Sequence, residues 1–187
     1  MRNLIRSCRL FAVAERGIAA VEFALVLPVM VVMLLGTYDG GEAIASYMKM
    51  RSATYALAEM TNQYATIASS DMTQILGAVA VVMAPYNTAA PAIKVSQITI
   101  SGTGVAKYEW SAALNATAHT AATTVSPSPP SGVVVNGGYL ILAEVTYTYT
   151  PLFGFFGSGS AITFSDNLYV TPRSVTCVIY TPQSSTC

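Results

Sequence analysis

Charged side chains are scarce in this chain and make up 10% of its 187 residues, whereas 53% of the residues are hydrophobic. The mean hydropathy of +0.51 exceeds that of an ordinary soluble domain, which predicts a membrane segment. The sequence lacks a Gly-x-Ser-x-Gly elbow, a His-Glu-x-x-His motif and a phosphate-binding glycine loop. Its one histidine, His119, has no Cys, Asp or Glu nearby in the sequence. We therefore expect no enzyme activity, no catalytic residue, no cofactor and no metal site.

The few charges are unevenly distributed. Four arginines precede the first apolar run: Arg2, Arg6, Arg9 and Arg16. From Ile18 onward five basic residues face eight acidic ones, a net charge of −3, which argues against nucleic acid as a partner. The length suits one compact domain and an anchor.

Three cysteines are present, and they fall into two groups. Cys8 lies in the basic leader, whereas Cys177 and Cys187 lie ten positions apart near the end of the chain. If the body is exported, the last two enter an oxidising compartment and can form a disulfide. The alternative is a pair of unpaired thiols.

The apolar run from residue 18 to residue 38 is long enough to span a bilayer, since it would rise about 30 Å as a helix. The arginines before it and the acidic Asp39 and Glu42 after it predict a cytoplasmic N-terminus and an external body. A secretory signal peptide usually has a shorter apolar part. We expect a single-pass helix in contact with the lipid bilayer.

Glu22 lies inside this apolar run, where an ionised side chain costs at least a few kcal/mol. A cut after Gly17 would give Ile18 a free ammonium group and make Glu22 the fifth residue of the mature helix. Neighbouring subunits could then match the two charges, and the helix dipole would favour Glu22. The alternative is a plain uncleaved anchor with Glu22 near the headgroups. Pro28 removes a backbone donor in mid-helix, which predicts a kink.

The stretch from Arg16 to Pro28, RGIAAVEFALVLP, resembles the opening of TadE-like pseudopilins of tight-adherence (Tad/Flp) pilus systems. That pattern is a basic residue, Gly, four mostly small or apolar residues, Glu-Phe and an apolar run with Pro. The resemblance implies cleavage by a membrane prepilin peptidase between Gly17 and Ile18, and an assembly role for Glu22 and Phe23. It also divides the chain into a leader (1–17), a transmembrane helix (18–38) and a periplasmic pseudopilin domain (39–187).

The body is predicted to be an α+β domain. The first helix should continue to about residue 64 with one apolar face, and a second helix should cover residues 72–83 behind the cap residues Ser69, Ser70 and Asp71. About four antiparallel strands follow, at residues 93–101, 105–111, 139–150 and 161–171. The predicted apolar face of the first helix consists of Ala53, Leu57, Met60 and Tyr64. In the first strand a bulge is expected between Ile93/Val95 and Ile98/Ile100, because the two pairs lie in opposite phases. In the second strand Tyr108 and Trp110 should share one face.

Two loops stand out between these strands. Residues 112–132 are low in complexity and rich in proline, which predicts an exposed loop that includes His119. The apolar segment 151–157, PLFGFFG, is interpreted as a hydrophobic plug between sheet and helix. The alternative is an exposed patch for another pilus subunit or for the membrane surface.

The resemblance implies a minor pseudopilin in the inner membrane of a bacterium that helps to initiate or support assembly of the major Flp pilin. It leaves open whether the protein enters the pilus or stays in the membrane. Its expected partners are the prepilin peptidase, other pseudopilins, the major Flp pilin and the inner-membrane assembly platform. Residues 143–154 and 169–173 are also similar to the family, except that Thr171 replaces an Arg of many relatives. The alternative is an uncleaved, membrane-anchored periplasmic binding or scaffold protein.

Overall fold

The structure, a computed structural model, describes residues 18–87, 91–154, 161–181 and 183. Its elements are α1 (Ile18–Asn62), β1 (Thr66–Ala68), α2 (Ser69–Val82), β2 (Ala92–Ile100), β3 (Ala106–Leu114), β4 (Tyr139–Tyr149), β5 (Ile162–Val170) and β6 (Ile179–Thr181). The prediction of an α+β fold with a long N-terminal helix, a second helix and a four-stranded antiparallel sheet is confirmed.

The chain forms two compact units. Of the described residues, the first comprises 18–42 and 150–154, and the second comprises 43–87, 91–149, 161–181 and 183. No sequence pattern indicates that residues 150–154, after β4, belong to the same unit as the first half of α1.

Helix α1 is continuous over 45 residues. Gly36 and Gly41 do not interrupt it, because a glycine costs a helix only about 1 kcal/mol relative to alanine. Pro28 lies inside the helix, and its predicted kink stays a prediction.

The larger sheet of the second unit has the strand order β3-β2-β4-β5, and all its neighbours are antiparallel. The predicted ladder between β4 and β5 is confirmed, with Tyr149 opposite Ile162 at one end and Ile141 opposite Val170 at the other. A separate parallel pair joins β1 to β6. These two strands have three residues each, too few to show a sequence pattern.

One face of the sheet packs against the helices of the second unit. Helix α1 contributes Met50, Ala53, Leu57 and Ala58, which are all buried. The prediction that Ala53 and Leu57 lie on the packed face of the helix is confirmed, but Met60 and Tyr64 of the same predicted face are exposed. Buried Thr54 and Thr61 occupy the face instead. The Thr54 hydroxyl donates to the Met50 carbonyl at 3.1 Å, and such a bond lets a polar residue lie in an apolar helix face.

Helix α2 begins three residues before its predicted start at Met72. The Asp71 carboxylate accepts a hydrogen bond from the Ala68 amide at 3.4 Å, so Asp71 caps the helix from inside its first turn. Ser69 and Ser70 are therefore helical residues.

The register of the β2–β3 pair shifts where the bulge was predicted, but the additional residue lies in β3. Gln97 pairs with Trp110 and Ile98 pairs with Tyr108, so Glu109 is the additional residue between them. This residue reverses the alternation, so the prediction that Tyr108 and Trp110 share a face is wrong. Trp110 belongs to the main core and Tyr108 to a smaller cluster. Strand β3 also continues to Leu114, three residues beyond its predicted end.

Two buried side chains hold the C-terminal segment against the sheet at Val178. The Trp110 Nε1 atom donates to the Val178 carbonyl at 2.8 Å, and the Gln97 Oε1 atom accepts from the Val178 amide at 2.6 Å. The adjacent Cys177 is buried and disulfide-bonded. Its predicted partner Cys187 lies outside the described residues, so the pairing of the two stays a prediction.

Replacing Trp110 with Phe should destabilise the second unit by about 2–3 kcal/mol, because the buried Val178 carbonyl loses its donor and a small cavity forms. Urea unfolding of the full chain in detergent micelles would measure the loss. The control is Tyr64→Phe, which removes a hydroxyl from an exposed ring. A Trp110→Phe variant as stable as this control would contradict the role assigned to the bond.

Candidate functional site

The first half of α1 exposes a long apolar surface. Its large apolar side chains from Ile18 to Leu34 are between 42% and 71% exposed. Within the described part of the chain, α1 is the one helix long and apolar enough to cross a membrane. An apolar surface of this size requires a non-aqueous or protein environment.

Glu22 interrupts this surface one helical turn after Ile18. Residues four apart in a helix lie on the same face, so the backbone nitrogen of Ile18 and the Glu22 carboxylate lie on one side. None of the ion pairs among the described residues involves Glu22. Gly17, the other residue of the predicted cleavage site, lies outside the described residues.

A stripe of large apolar side chains follows Glu22 along the helix. Phe23, Leu27, Met30 and Leu34 recur at intervals of four, three and four residues and line a shallow groove. This spacing places them on one face, the arrangement with which one helix packs against another.

Asp39 is a site residue that sequence reasoning missed. Its side chain lies at the end of the apolar segment and is only 1% exposed. The Phe153 amide donates to its carboxylate at 3.3 Å (Oδ1) and 3.2 Å (Oδ2), and the Phe153 ring meets the Tyr38 ring edge to face at 5.9 Å. The sequence indicates only that Asp39 is an acidic residue flanking the apolar run. A contact between residues 114 positions apart leaves no local sequence pattern.

The loop held by Asp39 is not a buried plug over its described residues, 151–154. Pro151 is buried, but Leu152 is 72% exposed and Phe153 is 45% exposed. The exposure follows from the attachment, because the bond to Asp39 uses the backbone of Phe153 and leaves the side chains on the surface. Residues 155–157 of this loop lie outside the described residues.

His119 forms a polar cluster with Glu144 of β4 and Tyr108 of β3. Its Nε2 atom lies 2.6 Å from Oε2 of Glu144, and its ring stacks on Tyr108 at 4.2 Å. Burial, and then the Glu144 carboxylate, raises the pKa of Tyr108 to about 12. His119 lies in the predicted loop, which begins after Leu114, but its side chain is only 24% exposed and its backbone amide donates to the Ser111 hydroxyl. Among the described residues, no group of three or more His, Cys, Asp or Glu could hold a metal ion.

Arg173 has a structural role within the second unit. Its guanidinium lies 3.2 Å from Glu59, and its backbone amide donates to Asn62 at 2.7 Å. The end of β5 is thus attached to the end of α1.

A family model described as TadE-like protein matches residues 17–59. Over these residues the chain is similar to that family. The match begins at Gly17 and covers Glu22, Phe23 and Asp39. No curated protein and no solved structure matches the chain.

Replacing Asp39 with Ala should make the Phe153 amide exchange its hydrogen at least about tenfold faster, because a hydrogen bond to a charged group contributes about 1.5 kcal/mol or more. Asp39→Asn keeps one acceptor oxygen and should show a smaller increase. Hydrogen exchange followed by NMR would measure both variants. The Ile179 amide, which donates to Ala65 in the second unit, serves as the internal control. An unchanged Phe153 rate in Asp39→Ala would contradict the attachment.

Proposed function

We propose that this TadE-like chain is a minor pseudopilin of a Tad/Flp pilus, cleaved after Gly17 and active in pilus assembly or initiation. The observation that carries the proposal is the exposed apolar segment of α1 from Ile18 to Leu34, which contains Glu22 and lies within the family match. The arginine-rich leader would remain cytoplasmic and the folded body would lie in the periplasm, as the flanking charges favour.

The position of Glu22 supports cleavage on physical grounds. If the chain is cut after Gly17, Ile18 becomes the start of the helix, and the unpaired amide groups and positive dipole end of that start favour a nearby carboxylate. A cut after Gly17 would add the Ile18 ammonium group to this positive end. In an assembly, the ammonium of one subunit and Glu22 of the next could pair, so that neither charge would remain alone in lipid.

The second unit supports a minor rather than a major subunit. The resemblance implies a major pilin that is little more than a helix, whereas this chain adds a four-stranded sheet with its own core. The apolar stripe that includes Phe23 and Leu27 offers a helix surface through which the protein would act by contact.

One observation favours the alternative, an uncleaved anchor or scaffold protein. Glu22 is the fifth residue of the predicted span and is exposed, and a carboxylate near the end of a span can reach the headgroups and stay hydrated. On this alternative the leader would be retained and Glu22 would need no partner.

Replacing Gly17 with Trp should block processing, since a bulky side chain prevents close approach of the peptidase to the backbone. In cells that contain the prepilin peptidase, intact-mass measurement should show the native chain starting at Ile18 and the variant at full length. The matched control is Gly36→Leu, because a side chain at Gly36 meets no atom within 4 Å. Native protein and Gly17→Trp of equal, full-length mass would contradict cleavage and support the uncleaved anchor.

Replacing Glu22 with Gln should abolish co-purification with the other pilus subunits, because it removes the charge and keeps the shape. Glu22→Asp keeps the charge and should retain part of the interaction. Crosslinking in cells and subsequent affinity purification would measure both. Thermal unfolding should be unchanged in each, since Glu22 is exposed. Wild-type recovery of partners by Glu22→Gln would show that charge pairing is not needed for assembly.

A further inference from the structure

We propose that the exposed end of the loop after β4 is a second membrane contact, in which Leu152 and Phe153 enter the lipid interface beside the exit of α1. We call this surface, made of Tyr38, Leu152 and Phe153, the exit patch. The inference goes beyond the pilus role and requires only that α1 spans a bilayer. Its occupant is the lipid itself.

The depth of the patch is set by the length of the helix. Tyr38 and Asp39 come about twenty residues after Ile18, which is about 30 Å of helix and matches the hydrocarbon thickness of a bilayer. If α1 enters the membrane near Ile18, it leaves the membrane at Tyr38. The Phe153 ring lies 5.9 Å from the Tyr38 ring within the same unit, so the loop lies at this level.

The chemistry of the patch fits the interface between lipid and water. Tyr38 is 50% exposed, beside the exposed Leu152 and Phe153, and none of the three carries a charge. Aromatic side chains are enriched at this level of membrane proteins, where one end of the ring is apolar and the other meets water. The Asp39 carboxylate, which bonds to the loop, is buried and does not reach the surface of the patch.

The hydrogen bond to Asp39 removes the main obstacle to such an insertion. A non-helical backbone near lipid is costly because its amide groups have no water with which to bond. The Phe153 amide avoids that cost, since both Asp39 oxygens lie within 3.3 Å of it. The two side chains can therefore contact lipid while the backbone amide of Phe153 stays paired.

A bilayer is a better occupant than another protein, because the patch is continuous with a surface that already requires lipid. The apolar side chains of α1 are exposed up to Leu34, one turn before Tyr38. Leu152 and Phe153 widen this apolar surface at the end of the span.

Tryptophan fluorescence in the full chain tests the inference, with lipid vesicles whose acyl chains carry bromine as the quencher. Leu152→Trp reports on the patch, and Leu34→Trp reports on the spanning helix. Val135→Trp is the matched control, since Val135 is an apolar side chain of similar exposure (64%) in the second unit. The native Trp110 is buried and gives the same background in every variant.

We expect the added emission of Leu34→Trp and Leu152→Trp to be lost in brominated vesicles and that of Val135→Trp to persist. Combining Leu152→Trp with Asp39→Ala should restore emission, whereas Asp39→Asn, which keeps an acceptor, should restore less. Quenching at Leu34 without quenching at Leu152 would overturn the inference and leave the anchor and its pilus role intact. Absence of quenching at Leu34 would overturn both the span and the patch. Equal quenching at all three positions would overturn the patch by showing non-specific adsorption to vesicles.

Discussion

The exposed apolar surface of α1 between residues 18 and 34 is the constraint on which the rest of the structure depends. A helix of this composition is stable in lipid or against other helices, and its backbone groups are satisfied internally wherever it lies. The same helix continues to Asn62, where its residues belong to the core of the second unit. One continuous element therefore has to satisfy two environments, and its side chains change accordingly from apolar all round to apolar on one face.

The second unit closes its core with contacts that are distant in sequence. Trp110 and Gln97 come from two strands and bond to the two backbone groups of Val178. These bonds hold Val178 and the adjacent Cys177 against the sheet. They also give the buried Trp110 Nε1 and Gln97 Oε1 atoms a hydrogen-bond partner. The bulge at Glu109 makes this possible, because it turns Trp110 toward the main core while Tyr108 faces the smaller cluster.

The sequence predicts the elements that depend on local pattern. The apolar run predicts the first half of α1, alternation predicts β4 and β5, and the Glu-Phe pair at 22–23 lies in the segment that the family model matches. Prediction fails where a distant partner decides. Thr54 and Thr61 of α1 are buried, Glu109 is the additional residue in the pairing of β3 with β2, and His119 contacts Glu144, which is 25 residues away. In each case the residue type at the position is ordinary, and only the fold gives it its surroundings.

The acidic residues near the two ends of the apolar segment, Glu22 and Asp39, differ in their surroundings. Asp39, at one end, has its charge satisfied inside the chain by the Phe153 amide and is buried. Glu22, near the other end, is exposed and takes part in none of the ion pairs among the described residues. A carboxylate already bonded within its own unit has little to gain from a second molecule, whereas an exposed one on an apolar helix gains most from a partner or from the headgroups. The end of the helix that carries Glu22 is therefore where association can be driven by charge, and the end that carries Asp39 is where the chain fixes its own loop.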